Sequence, residues 1–395
     1  MPAGVYLHIP FCKSRCSYCD FATDVYRDND AVERYVNALV SEMTEGGNPT
    51  GRKGAHDYSY STSRTLATAR VSALSADTVY FGGGTPSLLT PSQLERILKT
   101  VHDKFDISPN AEITMEMNPA TVTPDTLREY RSLGVNRASF GVQTFDDRAL
   151  KLLARGHDAN DARTTFTILR EAGFDNVSFD LIAGLPGQTL DDWGRNLSEA
   201  IAMSPEHLSL YLLEIHEGTP LAEQVRSGRQ PTPDDDLAAA MYEMMLDRLA
   251  AAGYEQYEIS NFCRPGFESR HNTKYWRLAP VYGFGVSAHS FDGTQRYANG
   301  RDTAKYVELI ENNISAEVMR DEIDQASEFI FLGLRMEDGI DLVEYKLRFG
   351  SDLIKKYQIE LNRLIDAGLI ATENDRLQLT RKGKLFSNEV FAEFV

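Results

Sequence analysis

Three of the chain's four cysteines fall within eight residues of "FCKSRCSYCDF", at Cys12, Cys16 and Cys19 in C-x3-C-x2-C spacing. The fourth, Cys263, is far away in "SNFCRPGF". Clustered thiols hold soft metals, but a structural zinc ion normally takes four nitrogen or sulfur ligands. His8 could complete such a set, yet it lies inside the apolar run "VYLHIPF". An iron–sulfur cubane usually takes four cysteines. Three would leave one iron without a protein ligand, open to a small molecule that binds through an amine and a carboxylate.

A second constellation stands at "RHNTKYW", where His271 and Tyr275 would share one face of a helix a turn apart. Imidazole is a common metal ligand and aromatic rings can pack against a flat ligand. Read alone, a histidine beside aromatics is more simply a hydrogen-bonded structural residue. Cys263, just upstream, reads as an inert buried thiol, with a part in holding a ligand as the alternative.

These groups need a scaffold, and the chain supplies a repeating one. Short β-rich runs recur at 4–10, 77–84, 112–119, 137–145, 176–186 and 207–215, each followed by a helical pattern. Several lack the apolar/polar alternation of a half-exposed sheet, which fits strands buried on both faces. Thr90 and Thr123 each precede a proline at a helix start, and Thr189 stands three residues before Asp192. Six β-then-α units imply parallel strands joined by right-handed crossovers. The expected fold is α/β, a partial TIM-like (β/α)6 barrel. Chemistry in such barrels sits at the C-terminal ends of strands, which here carry Cys12, Gly82 to Thr85, Glu116, Gln143, Asp180 and Glu214.

The expected organisation is a barrel over 1–230, a connecting region over 231–300 and a mainly helical domain over 301–395. Residues 47–76, rich in Gly, Ser, Thr and Ala, read as a flexible insertion. The last segment, with helix, Ala-Gly-Leu turn, short hairpin and "LTRKG", resembles a winged helix. It lacks a dense basic patch, and a net charge of −17 with pI near 5.0 disfavours a nucleic-acid partner. No run of about 18 apolar residues suggests a membrane span. The N-terminus carries no targeting pattern, so the expectation is a cytoplasmic protein.

C-x3-C-x2-C immediately after a first barrel strand resembles the signature of the radical S-adenosylmethionine (SAM) superfamily. The resemblance implies a [4Fe–4S] cluster whose open iron is chelated by SAM. "YLHIPFC", "GGGTPS", "MEMNP", "GVQTF", "DLIAGLPGQT" and "GVSAHS" resemble the HemN/HemW branch, in matching order over nearly the whole chain. Carried over by motif, the SAM contacts implied are Tyr6, Gly83, Gly84, Thr85, Glu116, Gln143, Arg155, Asp180, Glu214 and His289. The last two lie in less sharply matched surroundings.

The branch holds two activities. Oxygen-independent coproporphyrinogen III oxidases use SAM radicals to decarboxylate propionates, and typically carry a further cysteine two residues after the third. Here that position is Phe21. Haem chaperones carry an H-N-x-x-Y-W motif, matched by His271, Asn272, Tyr275 and Trp276. The resemblance therefore implies a haem carrier that passes haem to an acceptor protein, with a membrane-bound respiratory protein as a candidate. The oxidase is the alternative, and a winged-helix regulator sensing redox through its cluster is a third reading.

Overall fold

The computed structural model describes residues 1–26, 28–45 and 74–394. Of the stretch read as an insertion, residues 47–73 lie outside the described residues, and 74–76 already belong to a strand. Six strands run parallel and adjacent in chain order: β1 (Ala3–Ile9), β2 (Leu74–Gly83), β3 (Phe105–Met117), β4 (Arg137–Gln143), β5 (Val177–Ala183) and β6 (His207–Leu212). Each is followed by at least one helix. α1 (Asn29–Glu45), α2 (Pro91–Lys104), α3 (Pro124–Ser132), α4 (Asp147–Leu152), α5 (Ala159–Glu171), α6 (Leu190–Met203) and α7 (Pro220–Arg226) fall in these connections.

The threonines do start these helices. Thr90 and Thr189 both close capping boxes, with Gln93 and Asp192, and Thr123 accepts from the Thr126 amide.

Alternate residues of every barrel strand enter one apolar core with the helices. Val5, Leu7, Phe81, Met115, Phe140, Phe179 and Leu208 pack there with Leu94, Ile97, Leu127, Leu169 and Trp193. The other alternates therefore point inward, and they are polar: His8, Thr78, Thr114, Arg137, Ser139, Ser178 and His207 are all buried. The barrel has an apolar coat and a polar lumen.

Residues beyond β6 enlarge the same sheet to twelve strands. α8 (Asp235–Ala251) leads to β7 (Glu255–Glu258) and β8 (Asn261–Cys263), and β8 pairs antiparallel with β6. After α9 (Arg270–Trp276), β9 (Val281–Phe284) pairs parallel with β1 on the other side. β10 (His289–Phe291), β11 (Gln295–Asn299) and β12 (Glu317–Glu322) follow antiparallel beyond it. The sheet order is β12-β11-β10-β9-β1-β2-β3-β4-β5-β6-β8-β7, a parallel barrel wall left open between two antiparallel edges.

The C-terminal part is mainly helical. α10 (Thr303–Glu311) still packs on the barrel core through Tyr306 and Val307, whereas α11 (Gln325–Gly333), α12 (Leu342–Phe349), α13 (Leu353–Lys356) and α14 (Gln358–Asp366) accompany a three-stranded sheet. In that sheet β13 (Ile340–Asp341) and β14 (Ile370–Glu373) flank β15 (Arg376–Leu379). It has its own core, including Phe329, Ile330, Tyr345, Leu361 and Leu377. The helix-then-hairpin order is that of a winged helix. Among the described residues no helix is long and apolar enough to cross a membrane.

Candidate cluster and cofactor site

The cysteine loop leaves the C-terminal end of β1. Phe11 and Cys12 form a two-residue bridge with Asp24 and Val25, so the loop returns beside its own start. Cys16 and Cys19 close a turn within it, with the Cys19 amide donating to the Cys16 carbonyl at 3.3 Å. All three thiols are free and partly exposed. Thr85 donates to the Cys12 sulfur at 3.5 Å and Arg155 donates to the Cys16 sulfur at 3.4 Å. Burial pushes the Cys12 thiol up to about 11, with the Thr85 contact opposing the rise, and burial also raises Cys19. Three clustered thiols, two of them beside hydrogen-bond donors, are suited to a cationic metal centre.

His8 is not available to that set. Its Nε2 donates to the Ala22 carbonyl at 2.9 Å, which leaves Nδ1 to accept from Tyr6 at 3.1 Å. Its role is to hold the return arm of the cysteine loop, and burial keeps it neutral.

The glycine turn is built against this loop. Gly84 and Thr85 donate backbone N–H to the carbonyls of Ile9 and Phe11, each at 2.8 Å. Gly83 has φ +115°, and a Cβ there would lie 2.7 Å from the His8 ring. Gly83 donates to Glu116 at 3.1 Å, and Tyr80 donates to the other carboxylate oxygen at 2.7 Å. Arg155 reaches the same region from the loop after α4, donating to Asn118 at 2.8 Å and to the Gly141 carbonyl at 2.7 Å. Asn118 in turn donates to Thr85 at 2.8 Å. Asn118 thus ties the glycine turn to Arg155, a role that its place at the strand end in "MEMNP" could have signalled. The Arg155 Nε is buried with no hydrogen-bond partner among the described residues. It borders a cavity of about 50 Å³ shared with Cys16, Thr85 and Asn118. A carboxylate-bearing ligand fits that orphaned donor.

Gln143 ends β4 at φ +67°, a strained value for a residue with a side chain. A Cβ on Gly141 would lie 2.4 Å from the Gln143 amide nitrogen, so the glycine lets Gln143 fold back over the strand. Asp180 lies on β5, its pKa raised by burial against hydrogen bonding from Ser209. Cys12, Cys16, Thr85, Asn118 and Arg155 are thus brought together, with Gly83 and Glu116 next to them. Glu214 is exposed on the rim beyond β6, with His216 at 3.8 Å, and His289 is exposed at the start of β10.

Burial pushes the Glu116 carboxyl up to about 7, with Asp180 adding to the rise and hydrogen bonds from Tyr80 and Gly83 opposing it. A folded pKa above the unfolded one makes ionisation destabilising, progressively from the unfolded value near 4.5 up to about 7. Glu116→Gln is expected to stabilise the ligand-free chain by on the order of 2 kcal/mol at pH 8, with the gain gone by pH 4. Urea titrations at the two pH values check this; a gain independent of pH would show that Glu116 is already ionised without cost.

The H-N-x-x-Y-W helix lies at the opposite end of the barrel. Glu112 caps α9, accepting from the amides of Arg270 and His271 at 3.1 Å each. Asp77 pairs with Arg270 at 3.0 Å and Lys274 at 2.6 Å. His271 is buried, with Nδ1 2.8 Å from the Thr78 hydroxyl and Nε2 3.1 Å from the Tyr275 hydroxyl. Its ring stacks on Tyr80 at 5.0 Å and Tyr6 at 6.4 Å. Asn272 bonds through its amide to Ser269 at the helix cap, and Trp276 lies under the Arg335 guanidinium at 4.3 Å. Cys263 is buried against Tyr257 and Met336, with Trp276 packed on the group.

Comparison with known proteins bears on this arrangement. Residues 6–200 match the radical SAM superfamily and 321–386 match the HemN C-terminal domain. The haem chaperone HemW of Bacillus subtilis is 35% identical, the alignment covering 99% of each chain. The belonging is settled by that match. The chain is a member of the HemW family. The Escherichia coli HemW is 32% identical over 100% of this chain and 98% of its own. The E. coli coproporphyrinogen III oxidase HemN, a radical SAM enzyme, superposes with a TM-score of 0.83 over 100% of this chain and 90% of its own, at 23% identity. That likeness shows a shared fold.

Proposed function

We propose that this chain is a haem chaperone: it carries a [4Fe–4S] cluster on Cys12, Cys16 and Cys19, binds SAM at the open iron, binds haem and hands it to an acceptor protein. The observation that carries the reading is the 35% identity to a haem chaperone over 99% of each chain. Phe21, where the oxidases typically have their further cysteine, supports it over the decarboxylase. Within the barrel top, Arg155 would pair with the SAM carboxylate, and Gly83, Gly84, Thr85 and Glu116 would receive its amino group. Tyr6, Gln143, Asp180, Glu214 and His289 are proposed as further contacts. The cluster's chemistry, when bound, is electron delivery to SAM; the chain's own part is to hold, orient and exclude water.

For haem, His271 is the proposed ligand, with Asn272, Tyr275 and Trp276 around it. Both ring nitrogens are engaged, so ligation requires α9 to release either the Thr78 or the Tyr275 hydroxyl. The acceptor is a haem protein, with a membrane-bound respiratory protein as the candidate, and the setting is the cytoplasm.

An anaerobic haem titration of the cluster-reconstituted protein, followed at the Soret band, tests the reading. Saturation near one haem per chain is expected, and His271→Ala is expected to weaken binding by about tenfold or more while sparing the cluster absorbance. No saturable binding, together with decarboxylated product from coproporphyrinogen III, would move the chain to the oxidase.

A further inference from the structure

One buried cation has no use in the reading above. Arg137 opens β4, faces the lumen and is among the largest fully buried side chains, 1% exposed. Its Nε has no hydrogen-bond partner among the described residues. The Nε of Arg155 and Arg335 is unpartnered too, but those side chains and Arg170 hold a sulfur or a carboxylate through their other nitrogens, and Arg137 has no such partner among the described residues. Directly opposite Arg137 on the neighbouring strand, at the paired register position, stands Thr114. Thr114 is fully buried, and its hydroxyl has no hydrogen-bond partner among the described residues either. Two buried polar groups without partners on adjacent strands of the lumen are costly, about 1–3 kcal/mol for a neutral group and more for a charged one.

The surroundings are arranged for an acceptor rather than for apolar packing. His207 is held by Ser178 and Tyr257 at 2.8 Å each, and His271 by Thr78 and Tyr275, so neither ring competes for Arg137. Burial lowers the pKa of both rings and the charge of Arg137 adds to it, which places both within its field. Two buried carboxylates lie in the field of Arg137, but Glu116 accepts from Tyr80 and Gly83, Asp180 from Ser209, and neither pairs with Arg137 among the described residues.

We propose that Arg137 and Thr114 form a binding site for a single carboxylate group in the barrel lumen, at the level of the α9 histidine. A carboxylate accepts from both donors at once and neutralises the buried guanidinium. The group has two possible sources: a free small carboxylate, or a propionate of haem seated near His271. Only the second source rests on the chaperone reading; the site itself does not.

The test uses the full, cluster-reconstituted chain. Formate is the first probe. Wild type is expected to gain about 1–2 °C in Tm at saturating formate, and Arg137→Gln to gain nothing at the same ionic strength. Haem against its dimethyl ester is the second probe. If a propionate is the ligand, esterification weakens wild-type binding about tenfold or more, and Arg137→Gln binds both forms alike. Should Arg137→Gln fail to fold, Thr114→Val, close in volume, carries both measurements and is expected to reduce each difference. A formate response without ester discrimination assigns the site to a free carboxylate; ester discrimination lost in the variant assigns it to haem. Wild type showing neither response overturns the site, while saturable haem binding in the same titration would leave the chaperone reading standing.

Discussion

The stability margin of the wild-type chain over a His271→Asn variant is expected to fall by on the order of 3 kcal/mol between pH 7 and pH 4. His271 is buried, and desolvation, with Lys274 and Arg137 adding, lowers its pKa to about 3. The unfolded chain takes up the proton near 6.5, so between those values the unfolded state binds more protons and stability falls as pH falls. At about 1.4 kcal/mol per unit of separation, the interval from 6.5 to 4 sets the size. The comparison with a variant matters because other groups titrate in the same range. His207 acts in the same direction, whereas Glu116 and Asp180 have raised pKa values and favour the folded state on acidification. Asparagine removes the His271 proton site and leaves those terms in place. Urea denaturation of ligand-free protein at both pH values gives the difference directly; an unchanged margin would mean that the helix opens and protonates without unfolding the barrel.

That buried histidine marks where sequence reading stops. The strand–helix rhythm was legible because parallel strands need one face apolar for the helices, and Val5, Leu7, Phe81 and Met115 supply it in sequence. The helix starts were legible because capping is local: Thr90, Thr123 and Thr189 bond within three residues. The cysteines and the glycine turn were legible because their chemistry is compact. The lumen was not. "EITMEM" alternates Glu112, Thr114 and Glu116 with apolar residues, which on any open sheet would put them in water; closure into a barrel buries them instead. The pairing of β9 with β1 joins Val281–Phe284 to Gly4–Leu7, far apart in the chain, and nothing local announces it. The clamp on α9 has the same character. Asp77, Thr78 and Glu112 meet Arg270, His271 and Lys274 only through tertiary contact. A histidine at a proposed haem motif therefore proves, in the ligand-free chain, to be a fully hydrogen-bonded floor of the barrel. Any haem it takes must compete with that floor.

Gly84→Ala is expected to abolish cluster incorporation as completely as Cys12→Ser, although it removes no thiol. A Cβ at Gly84 would lie 2.7 Å from the carbonyl carbon and oxygen of Pro10 and 2.8 Å from the Phe11 carbonyl oxygen. All three are backbone atoms, so no side-chain rotation relieves the contact. The same backbone carries the hydrogen bonds from Gly84 to Ile9 and from Thr85 to Phe11, and the next residue is Cys12. Strand β2 and the cysteine loop must therefore move apart, which takes the Thr85 hydroxyl away from the Cys12 sulfur and the turn away from Asn118 and Arg155. Overpacking of this kind costs about 1–3 kcal/mol, here concentrated where thiol geometry matters. Gly194→Ala in α6 is the matched control. Its Cβ meets nothing closer than 3.4 Å, and the added methyl should stabilise the helix by about 0.5–1 kcal/mol. Iron and sulfide content after anaerobic reconstitution, read beside circular dichroism, separates the outcomes. A folded Gly84→Ala chain that takes up a full cluster would show that the cysteine loop finds its geometry independently of the glycine turn.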